Sequence, residues 1–150
     1  MRSILLKYSN DLTKQEYKNE EWPIKFWYGD GKLSKLYWEN GKYQLYYRSG
    51  QLLEVGYYNK DGQFKMYYRN GKLLMEGSKK AGKKDGAYKT YYSNGILEVE
   101  GVYKEGKTDG LYKKYDERGV LQEERIFIDN KLELIKTYRK NGVVATITRC

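Results

Sequence analysis

The stretch Gly62-Gln63-Phe64-Lys65-Met66-Tyr67-Tyr68-Arg69-Asn70-Gly71 decides the fold. Aromatic and aliphatic side chains alternate with polar ones, then the run closes on Asn-Gly. Strict alternation is the period of a half-buried strand, and Asn-Gly after it is a hairpin signal. The same ten residues recur as Gly86 to Gly95, Gly41 to Gly50 and Gly110 to Gly119. Trp22 to Gly31 is a degenerate copy, and Leu134 to Gly142 is another with one residue deleted. Units therefore start near residues 22, 41, 62, 86, 110 and 134.

Turn signals punctuate almost the whole chain: Asp30-Gly31, Asn40-Gly41, Ser49-Gly50, Asp61-Gly62, Asn70-Gly71, Asp85-Gly86, Asn94-Gly95, Asp109-Gly110, Arg118-Gly119 and Asn141-Gly142. The Asn-Gly and Asp-Gly pairs are read as type I′ turns, which need positive φ at both central residues. No segment between turns is long enough for a helix or carries a 3.6-residue period. A leucine follows five of these turns by two residues (Leu33, Leu52, Leu73, Leu97, Leu121). A further glycine follows at Gly56, Gly77 and Gly101. The expected fold is all-β: tandem β-hairpin repeats forming one elongated, twisted antiparallel β-meander. Strands about 4.8 Å apart give a sheet on the order of 60 Å long. Residues 22–150 form the repeat domain. Residues 1–21 are an N-terminal cap or degenerate half-repeat, since Tyr8-Ser9-Asn10-Asp11 resembles Tyr92-Ser93-Asn94-Gly95.

Composition narrows the chemistry. The 150 residues include 18 tyrosines, 16 glycines, one cysteine and no histidine. Absence of histidine removes Cys/His zinc sites and every His-based triad. Asp85 and Asp109 have local work in turns. No glycine-rich phosphate loop precedes a helix. The expectation is a protein that is not an enzyme and takes no metal or cofactor. The formal charge of +9 attracts anionic partners, while lysines on a sheet also keep its edges soluble. The apolar run Ile4-Leu5-Leu6 is too short for a secretory core or a membrane span. The chain is thus expected to be cytoplasmic, or exported if a leader was removed. Cys150, the lone cysteine, has no intrachain partner.

The recurring pattern Tyr-Tyr-x-Asn-Gly-x-Leu, then Glu-Gly, then Gly-Lys-x-Asp-Gly resembles the bacterial MORN-repeat variant family over roughly residues 22–150. The resemblance implies stacked β-hairpins in a long antiparallel sheet and an antitoxin-like, protein-binding role. Arg118 replaces the turn asparagine, Arg125 stands where glycine is expected, and the last unit loses most of its aromatics. The C-terminal end therefore reads as a cap.

Side chains on a strand alternate between faces. One face carries Ile24, Phe26 and Tyr28; Tyr43, Leu45 and Tyr47; Phe64, Met66 and Tyr68; and Tyr88, Thr90 and Tyr92. That is the expected core side, and it fades at Tyr112, Lys114 and Asp116. The other face repeats a polar or basic residue beside an aromatic: Lys25 and Trp27, Gln44 and Tyr46, Lys65 and Tyr67, Lys89 and Tyr91, Lys113 and Tyr115. Trp27, Tyr46, Lys65, Tyr67, Lys89, Tyr91, Lys113 and Tyr115 form the candidate binding row, because such rings are enriched at interface hot spots. Packing across strands is the competing explanation. Where the intervening strand offers Glu54, Glu98 or Glu123, the rings are expected to stay partly open.

Lys79, Lys80, Lys83 and Lys84 cluster around Gly82 and form a possible anion or lipid patch, or else a solvated loop. The leading expectation is a scaffold for a protein partner. The alternative is binding to an anionic phospholipid membrane surface, or an exported host-cell-contact protein using the basic face. The open sheet ends also suit a homodimer by edge-to-edge pairing. Nucleic acid is disfavoured, since acidic residues recur in every unit and no RNA-binding signature is present.

Overall fold

The computed structural model describes residues 22–57 and 61–150, so the expected N-terminal cap at 1–21 lies outside the described residues. Twelve strands follow one another in order: β1 (Ile24–Trp27), β2 (Leu33–Tyr37), β3 (Lys42–Tyr46), β4 (Leu52–Tyr57), β5 (Gly62–Tyr67), β6 (Leu73–Lys80), β7 (Lys83–Tyr91), β8 (Leu97–Lys104), β9 (Lys107–Tyr115), β10 (Leu121–Ile128), β11 (Lys131–Tyr138) and β12 (Val144–Arg149). Each pairs antiparallel with the next in a single open sheet, and no helix forms among the described residues. The chain is the all-β hairpin meander that its repeat implies.

The turns are built differently from expectation. At Arg69-Asn70-Gly71, the Tyr68 N–H donates to the Lys72 carbonyl at 2.8 Å and the Gly71 N–H to the Tyr68 carbonyl at 2.9 Å. Gly71 is left-handed at φ +81° and Asn70 is not. This is a three-residue loop, a type I turn plus a left-handed glycine, rather than type I′. The asparagine stays right-handed because its Oδ1 accepts the Lys72 N–H at 3.0 Å, which closes the loop. A bulge follows at once: Tyr67 faces Leu73, whereas Met66 faces Met75.

Type I′ turns lie elsewhere, at Ala81-Gly82, Glu105-Gly106 and Asp129-Asn130, where both central residues have positive φ. Asp85-Gly86 and Asp109-Gly110 are therefore not turns. They sit inside β7 and β9, and Gly62 opens β5. The aspartates reach forward instead. Asp61 Oδ1 accepts the Ala81 N–H at 2.9 Å, and Asp85 Oδ2 accepts the Glu105 N–H at 3.1 Å. Each carboxylate satisfies a turn donor of the following hairpin, and in Gly82-Lys83-Lys84-Asp85-Gly86 this is the work of the aspartate.

The expected core face is the core face. Tyr43, Phe64, Tyr88 and Val99 are its most buried apolar residues. Each buried ring lies opposite a glycine of the next strand: Tyr43 on Gly56, Phe64 on Gly77, Tyr88 on Gly101. A Cβ on Gly101 would sit 2.9 Å from Tyr88 Cε1, so the missing side chain is what lets the ring lie flat. In the next unit Arg125 takes the glycine's place opposite Tyr112, and its guanidinium stacks 5.5 Å from the ring centroid. One layer of rings over glycines thus serves as the core of a sheet that no second layer covers among the described residues.

The tyrosine that closes each aromatic pair (Trp27-Tyr28, Tyr46-Tyr47, Tyr67-Tyr68, Tyr91-Tyr92) ties neighbouring units together. The phenols of Tyr28, Tyr47, Tyr68 and Tyr92 donate to the main-chain carbonyls of Tyr46, Tyr67, Tyr91 and Tyr115. On the adjoining rim, the Asn70 and Asn94 amides donate to the carbonyls of Ser93 and Glu117. Asp116 ends the series. It stands where the next tyrosine would be, and its Oδ1 accepts the N–H groups of Arg118 and Val120.

Candidate functional site

The face opposite the core carries the candidate row, and strand register decides what surrounds it. Pairing places Lys65, Glu76, Lys89, Glu100, Lys113, Glu124 and Lys136 side by side on successive strands. The charges alternate in sign along this row. Opposite charges directly across strands stabilise a sheet by about 0.2–1 kcal/mol per pair. Two rungs close into ion pairs, Lys65–Glu76 at 3.5 Å and Lys113–Glu124 at 3.8 Å.

The first tyrosine of each pair is drawn into this ladder. Tyr91 donates to Glu76 at 2.8 Å, Tyr115 to Glu100 at 2.7 Å and Tyr138 to Glu124 at 2.5 Å. Burial first, and the carboxylate bond second, push the Tyr91 and Tyr115 phenols up to about 12. At the N-terminal side the pattern lapses. Tyr46 donates to Gln44 on its own strand at 2.9 Å, and Val55 replaces the glutamate that would meet Tyr67. Trp27, Tyr46, Tyr67, Tyr91 and Tyr115 are all half-buried.

The carboxylates expected beside these rings are not the ones found there. Glu54 and Glu123 lie opposite Leu45 and Lys114, on the core side. Glu98 is the extra residue of a bulge, since Tyr91 faces Leu97 and Thr90 faces Val99. It accepts from Thr90 Oγ1 at 3.3 Å. The bulge after each three-residue loop is the reason, because it changes which neighbour a tyrosine meets. Glu76, Glu100 and Glu124 do the work instead. Their recurrence at the same 24-residue spacing as Lys65, Lys89 and Lys113 was the signal available in the sequence.

The ladder is not uniform. A hollow of about 360 Å³ opens over β5, β6 and β7, lined by Gln63, Lys65, Glu76, Ser78, Ala87 and Lys89. Small side chains at Ser78 and Ala87 make the space. Ser78 Oγ is turned away as a donor to the Asp85 carbonyl. Lys65 is committed to Glu76. Lys89 is exposed and makes no ion pair within 4 Å among the described residues.

The four-lysine cluster divides. All four residues are strand ends flanking the Ala81-Gly82 turn, not a loop. Lys79 folds back over the Phe64 ring at 4.8 Å and lies 3.7 Å from Glu54. Lys84 sits 5.0 Å from the Tyr103 ring. Only Lys80 and Lys83 project as exposed cations at the hairpin tip. Among the described residues no group of acidic or thiol side chains is arranged to hold a metal ion, and no helix is long and apolar enough to cross a membrane.

A single-layer meander of stacked hairpins with repeated rings on both faces defines a repeat protein that presents a surface. The MORN repeat variant family matches residues 39–60, 60–78, 84–105 and 108–129, together more than half of the chain. The chain belongs to that family. MORN repeats mediate protein or membrane binding. No curated protein matches the chain.

Proposed function

We propose that this chain is a non-catalytic scaffold that binds a protein partner on the ladder face, centred on β5–β9. The carrying observation is the hollow over β5–β7. It is a recess in the row of alternating charges, and Lys89 at its edge makes no ion pair within 4 Å among the described residues. The ladder fixes the walls, so a partner meets a preorganised surface and loses little freedom of the scaffold on binding. An acidic side chain of the partner fits beside Lys89, with Gln63 as a further polar contact. The half-buried rings of Tyr67, Tyr91 and Tyr115 supply stiff flanking area.

Within this reading, antitoxin work is the case in which the partner is a toxic protein. It rests on family resemblance, and a neighbouring toxin gene neutralised on co-expression would support it. Within the four-lysine cluster the membrane reading draws support from Lys80 and Lys83 alone, since their two companions are turned onto aromatic rings. Co-sedimentation with anionic vesicles at low salt separates the two readings.

The test uses Lys89→Glu. Tagged wild-type chain captures its partner from a source lysate, the partner is identified, and its affinity is measured by calorimetry. Charge reversal at Lys89 is expected to weaken binding at least tenfold with the circular dichroism spectrum unchanged. A partner held equally well by the variant would sink the assignment of this face.

A further inference from the structure

We propose that the chain pairs with a second copy of itself through β12, edge to edge and antiparallel about a twofold axis near Ile147, continuing the sheet across the two molecules.

Among the described residues the first and last strands of the sheet differ. At β1 only four residues pair, Pro23 immediately precedes them, and the exposed Lys25 sits among them. Proline and lysine are features that blunt an edge against further pairing. β12 has six residues, Val144-Ala145-Thr146-Ile147-Thr148-Arg149, every one exposed. Its one charged residue is Arg149 at the strand's end, it has no proline, and it is rich in β-branched side chains, which favour strands. Among the described residues only β11 pairs with it.

The outer backbone groups can be assigned. The Cys150 N–H donates to the Glu133 carbonyl at 3.1 Å, across the β11–β12 pair. An antiparallel ladder alternates bonded and non-bonded pairs. Thr148 and Thr146 therefore point their main-chain groups at β11, and Ile147 and Arg149 point theirs outward. A row of outward groups from one copy is complementary to the same row from another copy turned by a twofold. That operation keeps each face of the sheet on its own side. Ile147 is 60% exposed on the ladder face, beside Lys136. It would then lie against Ile147 or Ala145 of the second copy and lose that exposure. Isologous pairing closes after two copies, whereas a β12-to-β1 contact would propagate without end.

A six-residue edge is a small contact, and interfaces below about 1,200 Å² are typically weak, so the association belongs in the micromolar range. The experiment is sedimentation equilibrium of the whole chain over that range, combined with amide exchange. Mass should rise from 17.8 kDa toward twice that value with concentration. Exchange at Ile147 and Arg149 should slow at least tenfold over the same range, while Thr146 and Thr148 are protected throughout. Ile147→Lys should abolish the dimer while Thr146 and Thr148 stay protected. If that variant unzips β12, Arg149→Pro removes one outward donor without touching the inward ladder, and it too should leave a monomer. Three outcomes overturn the proposal: a monomer at every concentration, a dimer surviving both substitutions, or protection of Ile147 that is the same in dilute monomer. The last would mean that the edge is covered from within the chain.

Discussion

The Tyr92 phenol donates to the main-chain carbonyl of Tyr115 at 2.7 Å, across 23 residues of chain. The same bond is made by Tyr68 to Tyr91 and by Tyr47 to Tyr67. A hairpin alone is marginal, so bonds of this kind help make consecutive hairpins one cooperative sheet. Tyr92→Phe keeps the ring and removes only the hydroxyl. It should lower unfolding free energy by about 0.5–1.5 kcal/mol in urea titration. Amide exchange should accelerate most from β9 onward.

Gly101→Ala tests the ring-on-glycine core. The new methyl would stand 2.9 Å from Tyr88 Cε1 and 3.3 Å from its hydroxyl, which forces the ring off the strand. Overpacking of this sort costs about 1–3 kcal/mol. The expected signature is a lower urea midpoint together with a changed near-ultraviolet dichroism from the displaced tyrosine.

Glu100→Lys would set three cations in a row, Lys89, position 100 and Lys113, and leave the Tyr115 phenol without its acceptor. Like charges directly opposite cost about as much as opposite charges stabilise, on the order of 1 kcal/mol for the two contacts together. Added salt should recover part of the loss by screening. Glu100→Gln should cost less and show a weaker salt dependence. Equal losses in the two variants at every salt concentration would remove the ladder's electrostatic role.

Alkali should loosen the sheet. Tyr91 and Tyr115 hold their protons to about 12, above the ordinary value of 10. Burial also pushes Tyr43 and Tyr88 up. The folded state thus binds these protons more tightly than the unfolded one. Their contribution is complete below pH 10 and is lost as pH climbs from 10 through about 12. Thermal midpoints should therefore decline above pH 10, and ultraviolet titration should reveal tyrosines that ionise late. Glu76→Gln should bring the Tyr91 transition down.

Much of this was legible in the sequence. The alternation in Gly62 to Gly71 and its copies implied a succession of short antiparallel strands and the side that each residue takes in the first strand of each unit. It placed Tyr43, Phe64 and Tyr88 on the core side, since the two faces of a strand differ by one residue. Local information suffices there, because turn residues and period 2 are properties of neighbouring positions. Long-range pairing was the part only tertiary structure decided. Which glutamate meets Tyr91 depends on a bulge, and a bulge shifts register without altering the alternation that a sequence displays. Asp85 reads as a turn residue, yet its carboxylate belongs to a turn 20 residues ahead. The lysines at 79 and 84 read as one patch with 80 and 83, yet aromatic rings from other strands take them out of it. Composition and spacing fixed what each hairpin is. Contacts between hairpins, which no single repeat contains, decided how the ladder closes and where the hollow over β5–β7 lies.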